Sequence, residues 1–229
     1  MTSFGGEMRR SFHDELAGLR QRVERMAAVV VRGVGAVTDA LLDDDAAAAA
    51  AVIAADREID DLYPTVEGDV FELVATQTPV ASDLRFLMAT LRIAMEIERS
   101  GDLVASVGRR VGTLDTTALT SEVRLLLAEM GLRATSMFAT AAGCYASLDA
   151  DRARTLQDED DAMDDLHRRL LECLFASSPA HVGTTVELGL IARFYERVAD
   201  HAVVIGERVG FVVDGSMNAG DTDERGWTP

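Results

Sequence analysis

Glu98 and Asp102 stand four residues apart in "IERSGDLVASVGRRV" (Ile97 to Val111). Glu196 and Asp200 repeat the pair in "YERVADHAVVIGERV" (Tyr195 to Val209), with six of fifteen aligned positions identical. Two further pairs keep the same spacing: Asp56 and Asp60 in "DREIDDLY", and Asp160 and Asp164 in "DDAMDDLH". Residues i and i+4 share one face of a helix, so each pair is an acidic face. Carboxylates gathered within a few ångströms repel one another by on the order of 1 kcal/mol per pair at intermediate dielectric. Protonation, an arginine or a bound cation must offset that repulsion. A donor set made only of oxygens favours hard cations: Mg²⁺, Ca²⁺, Mn²⁺ or iron.

The elements that carry these pairs follow from apolar spacing of three and four along almost the whole chain. Leu16, Leu19, Val23, Met26, Val30, Val34, Val37 and Leu41 make one stripe, on a helix expected over 11–42. Asp45 is the expected N-cap of a second helix reaching about Ala75, with Pro64 and Gly68 kinking or loosening it. Thr78 and Pro79 read as the N-cap and first position of a third helix ending near Val111. After "GTLDTT" three more helices are expected, over about 121–148, 152–175 and 184–213. The fold class is therefore all-α, with two tandem, pseudo-symmetric three-helix bundles over 1–115 and 116–213. A Gly-rich, acidic segment over 214–229 shows no periodicity and is expected to be a disordered tail. An antiparallel hairpin centred on Pro79 sets Asp60 level with Glu98 and Asp56 level with Asp102. One centred near Ala180 does the same for Asp164 with Glu196 and Asp160 with Asp200.

The composition supports a helical core built from Ala, Val, Leu, Ile and Met: 48% of residues are hydrophobic, 5% are aromatic, and there are four prolines. A net charge of −17 argues against binding a nucleic-acid backbone and against adsorption to anionic lipid. It suits a partner with a basic surface, or bound cations. Every basic residue other than histidine is Arg. Cys144 and Cys173 have no metal-ligand spacing, which fits buried thiols in a cytosolic protein. "MTSFGGEMRR" has no apolar stretch of a signal peptide. The longest apolar run, Ala46 to Ala55, is too short to span a bilayer. A cytoplasmic location is expected.

Other chemistry is weakly marked. His13, His167, His181 and His201 have no repeat partner of the same type, and His167 follows Asp164 only as a faint Asp-x-x-His. The Glu-x-x-His motifs of di-iron bundles are missing, as are Walker, GxSxG and GxGxxG motifs. A single acidic pair on a helix is ordinarily a solvated face. Four pairs, duplicated and level, point to cation binding, against an alternative of inter-helix ion pairs using Arg92, Arg99, Arg193 and Arg197.

"TPVASDLRFLMATLRIAMEIERSGD" (Thr78 to Asp102), with "YERVAD" repeated later, resembles the PhoU family over residues 10 to 213. The resemblance implies metal clusters on Glu98, Asp102, Glu196 and Asp200, joined by Asp56, Asp60, Asp160 and Asp164. Divalent or trivalent ions would fill them: iron, manganese, magnesium or zinc. It also implies a non-enzymatic regulator, with no catalytic residues, that links the phosphate ABC transporter's ATPase subunit to the phosphate sensor histidine kinase and holds the starvation response off. A homodimer is expected, and membrane contact only through partners. The second copy departs from the pattern with "VAD" at 198–200, and its turn lacks the "SDLR" of Ser82 to Arg85. A di-iron-type carboxylate metalloenzyme and a helical scaffold without metal are the alternatives.

Overall fold

The apolar spacing builds seven helical segments among the described residues. They are α1 (Phe4–Asp43), α2 (Ala46–Ala55), α3 (Arg57–Gln77), α4 (Ala81–Gly108), α5 (Ser121–Ser147), α6 (Ala150–Phe175) and α7 (Val182–Asp214). The structure is a computed structural model that describes residues 4–77, 79–114, 119–176 and 182–215. Along α1 the stripe Leu19, Val23, Met26, Val30, Val34, Val37 and Leu41 is wholly buried, as a 3.6-residue period against a single core demands.

The helices form one ring with two flanks. α1 packs against α4 and α5, α7 packs against the same two, α2 and α3 lie on α1 and α4, and α6 lies on α5 and α7. Each diagonal of the ring is crossed by one buried hydrogen bond. Thr38 of α1 meets Tyr195 of α7 at 2.9 Å, and Thr90 of α4 meets Tyr145 of α5 at 3.0 Å. Burial pushes both phenols up, so they remain neutral hydrogen-bonding groups. One cluster of buried apolar side chains runs through both repeats.

The duplication is visible in the backbone. Asp44 and Leu148 both take left-handed φ, +57° and +53°. The residue after each, Asp45 or Asp149, returns its N–H to the carbonyl of Ala40 or Cys144 and caps the next helix with its side chain. The left-handed residue followed by a six-to-one hydrogen bond is how a helix ends when an orphan carbonyl must be satisfied. Gly108 and Gly206 match as well: an added Cβ would lie 3.3 Å from the Ala49 carbonyl oxygen or 3.1 Å from that of Ala153. Those contacts let the second helical rod of each repeat approach the third.

Three expectations need correction. The helix is interrupted at Asp56, not at Pro64, which lies inside α3. Asp60 and Pro64 are both exposed, so the carbonyl that loses its donor faces water and the helix tolerates the proline. At Asp56 the carbonyl instead accepts from both Ile59 N–H at 2.8 Å and Asp60 N–H at 3.2 Å. α4 starts at Ala81 with Val80 as an extended N-cap, so Pro79 precedes the helix; Thr78 lies outside the described residues. Asp214 belongs to α7, held by a 2.8 Å ion pair with Arg154. The rest of the expected tail, 216–229, lies outside the described residues, as do the hairpin centre at 179–180 and His181.

An added Cβ at Gly131 would fall 2.6 Å from Thr38 Cγ2 and 2.9 Å from its Cβ, and Thr38 anchors one diagonal. Gly131→Ala should therefore destabilise the fold by about 1–3 kcal/mol, because overpacking outweighs the helix-propensity gain of Ala. Urea denaturation at fixed m-value checks this.

Candidate metal centre

The second and third rods of each repeat form a hairpin, and the acidic pairs meet on it. In the first repeat, Asp56 occupies the joint between α2 and α3, Asp60 the first turn of α3, and Glu98 and Asp102 lie on α4. Burial first, then the charges of Asp60 and Asp102 and more weakly Glu98, push Asp56 up to about 6, with Arg109 opposing. Glu98 is likewise raised by burial and by Asp102 and Asp60. Gly101 makes room: an added Cβ there would run into the Asp56 carboxylate and lie 2.8 Å from Ile59 Cδ1. A largely apolar cavity of about 340 Å³ between α1, α2 and α4 reaches Asp56.

The second repeat gathers Asp160 and Asp164 of α6 with Glu196 and Asp200 of α7. Burial and the charges of Asp200 and Asp164 push Asp160 up to about 6. Burial and Asp200 push Glu196 up to about 7, against the neighbouring Arg193 guanidinium. Asp200 is raised by burial despite Arg193 and His201. All eight expected residues thus fall into two foursomes.

The structure adds groups that the acidic pattern did not single out. Arg193 forms an ion pair with Glu196 within α7. Arg99 reaches Glu96, also within one helix, at 3.9 Å. Neither makes the inter-helix pair that the alternative reading invoked. Tyr63 stands beside Glu98, its hydroxyl donating to Glu67 at 3.0 Å. At the equivalent position His167 is held down by burial and by Arg193, against Asp164 and Asp200. Both residues close the echoed octapeptides "DREIDDLY" and "DDAMDDLH", which is the signal that could have found them. Beside the clusters, buried Glu96 of α4 accepts from His201 Nδ1 of α7 at 2.7 Å. Burial opposes the charge on Glu96, but His201, Arg99 and Arg92 outweigh it and lower its pKa.

The chemistry of each foursome fits a hard cation, since every acidic donor is a carboxylate oxygen. Two of those oxygens, Asp160 Oδ1 and Glu196 Oε2, are buried without a hydrogen-bond partner, a cost that a cation would remove. Among the described residues no three His, Cys, Asp or Glu side chains are drawn together closely enough to hold a metal ion. Coordination therefore requires the carboxylates to turn inward and Arg193 to release Glu196. No helix among the described residues is long and apolar enough to cross a membrane.

Fold and site define a class: a two-repeat helical bundle with one acidic cluster on the outer hairpin of each repeat. The PhoU domain matches the chain twice, over residues 23–111 and 127–209, and the chain belongs to the PhoU family. It is 37% identical over 214 residues to phosphate-specific transport system accessory protein PhoU homolog 2 of Mycobacterium tuberculosis, covering 92% of this chain and 100% of that protein. Homolog 1 of the same species is 37% identical over 218 residues, 93% of this chain and 98% of its own. The crystal structure of PhoU from Pseudomonas aeruginosa superposes with a TM-score of 0.85 at 26% identity, covering 90% of this chain and 100% of that one.

The raised carboxyls make stability pH-dependent when no cation is present. Glu196 has an ordinary value of 4.5 and a folded value of about 7. Its protonated form therefore favours the folded state, fully so below pH ~4.5, and this contribution is lost as pH rises through about 7. Asp56 and Asp160 act in the same sense from 3.8 to about 6. Chelator-treated protein should lose stability between pH ~4.5 and ~7, and Glu196→Gln should remove on the order of 2 kcal/mol of that dependence. Thermal melts across this range test it.

Proposed function

We propose that the protein is a cytoplasmic accessory protein of phosphate-specific transport that restrains phosphate uptake and starvation signalling by binding partners, without turning over a substrate. The observation that carries this reading is the PhoU domain present in both repeats, together with relatives of matching length named as phosphate-specific transport system accessory proteins. The partners proposed are the transporter's ATPase subunit and the phosphate sensor histidine kinase, with the chain acting as a homodimer. A net charge of −17 suits basic partner faces, and such contacts weaken with salt.

The two carboxylate clusters are proposed to bind iron, manganese, magnesium or zinc, a reading supported by their donor chemistry and the orphaned oxygens of the second cluster. Asp56, Asp60, Glu98 and Asp102 would hold one set; Asp160, Asp164, Glu196 and Asp200 would hold the other. A bound cation supplies charge neutralisation and a fixed spacing between the two rods of each hairpin.

Two measurements test these statements. Glu98→Gln combined with Asp102→Asn should lower bound metal to about half, by elemental analysis of the purified protein, at unchanged helicity; full retention would reassign the first site. In cells grown with ample phosphate, deleting the gene and every paralogue should raise alkaline phosphatase and transporter expression. Normal expression together with normal uptake would overturn the regulatory role.

A further inference from the structure

The two clusters are alike in carboxylates and unlike in their next neighbour. Asp56, Asp60 and Tyr63 succeed one another on the face of one rod, and Asp160, Asp164 and His167 do so on the other. Spacings of four and three keep all three groups of each trio on one side of the helix. Tyr63 stands beside Glu98 but donates its hydroxyl to Glu67. The residue that corresponds to Glu67 in the second repeat is Leu171, which offers no such acceptor. His167 is half-buried and stands among the charges of Arg193, Asp164 and Asp200, so a cation that drew Arg193 away from Glu196 would free the imidazole for ligation. The same cluster contains Glu196, only 8% exposed, with Oε2 unpartnered, and Asp160 Oδ1 in the same condition.

We propose that the second cluster is a mixed nitrogen–oxygen site completed by the His167 imidazole, and that the two clusters therefore select different metals. This rests on the reading of the clusters as metal sites. Imidazole suits Zn²⁺, Fe²⁺ and Co²⁺, whereas carboxylates alone suit Mg²⁺ and Mn²⁺. The first cluster keeps an all-oxygen set, because a neutral tyrosine is a poor ligand and Tyr63 is engaged by Glu67. Gly101 sharpens the difference. It admits the Asp56 carboxylate against the α4 backbone, while Ala199 fills the corresponding position in the second repeat. The first cluster can thus seat a carboxylate against the α4 backbone in a way that the Ala199 methyl group does not allow in the second.

The test uses full-length protein stripped by chelation and then titrated separately with Zn²⁺ and Mn²⁺ by calorimetry. Parallel ¹H–¹⁵N spectra of ¹⁵N-histidine-labelled protein follow the imidazole nitrogens. Zn²⁺ should shift one imidazole, absent from the spectrum of His167→Tyr. That variant should weaken one Zn²⁺ site by ~10-fold or more and leave Mn²⁺ binding unchanged. Tyr63→His should convert the first cluster, adding a second Zn²⁺ site of comparable affinity. The conversion and the imidazole shift in the parent decide the matter even where His167→Tyr fails to fold by circular dichroism. Unchanged Zn²⁺ affinity in a folded His167→Tyr, or no imidazole shift in a parent that binds Zn²⁺, overturns the inference and leaves the metal sites standing. A parent that binds neither ion overturns the metal reading, and this inference with it.

Discussion

Four carboxylates at one height on two adjacent helices repel one another, and the rest of the molecule must hold them there. The repulsion acts across each hairpin, between α3 and α4 and between α6 and α7. A hairpin alone would relieve it by separating its rods, because an isolated helix pair has little apolar area to resist. Here the resisting area is the shared core. α4 and α7 each lose one face to their own hairpin partner and another to the ring. The close approach of each hairpin's rods is fixed by Gly108 and Gly206 against the carbonyls of Ala49 and Ala153, about two turns beyond the acidic residues. The raised carboxyls reflect burial first and this crowding second: packing desolvates the groups and keeps them near one another, and protonation or a cation must absorb the charge.

The same constraint explains why the repeats are fused. A three-helix unit of this size buries a small core, and the buried Tyr–Thr pairs, Thr38 with Tyr195 and Thr90 with Tyr145, both join one repeat to the other. So does the hydrogen bond from His201 Nδ1 to Glu96. A buried pair of this kind costs desolvation and is weak evidence of net stability, but breaking one partner strands the other. Together the links fix the register of α1 against α7, of α4 against α5 and of α4 against α7. The tandem arrangement is one cooperative body, and its pseudo-symmetry places the two acidic hairpins on opposite flanks of the ring.

Much of this was legible in the residues. Helices with a 3.6-residue stripe declare themselves wherever the core is apolar and continuous, as along α1. The helical spacing also put the acidic pairs on the rods that pack together, α3 with α4 and α6 with α7, where their charges act on one another. What escaped was tertiary. Pro64 is the strongest local breaker in its helix, yet the interruption lies at Asp56, where the side chain seats against Gly101 of another helix. Thr78 and Pro79 carry the local signature of a helix start, but Val80 is the cap. The αL turn at Leu148 lacks the glycine or asparagine that would announce it. His201 has no histidine counterpart in the first repeat, and its hydrogen-bond partner Glu96, in the first repeat, could not be read from the spacing.

The duplicated frame with unequal occupants bears on how such a protein works. Some equivalent positions keep the same residue where backbones meet. Gly108 and Gly206 remain glycine, because a side chain there would push the rods apart. Asp45 and Asp149 remain caps. Tyr63 and His167, and Gly101 and Ala199, differ, and both differences fall beside the carboxylates. The repeats also differ in the core, where buried Ile97 and Leu103 correspond to Tyr195 and His201, so the conserved frame is the backbone contacts and the acidic pairs themselves. On the proposed reading, a cation at either cluster adds its binding free energy to the stability of the same cooperative body. A cation also replaces repulsion between two rods with attraction. If partners dock on those outer rods, the spacing they meet would follow from what the carboxylates hold, which ties the proposed cation sites to the proposed regulatory contacts.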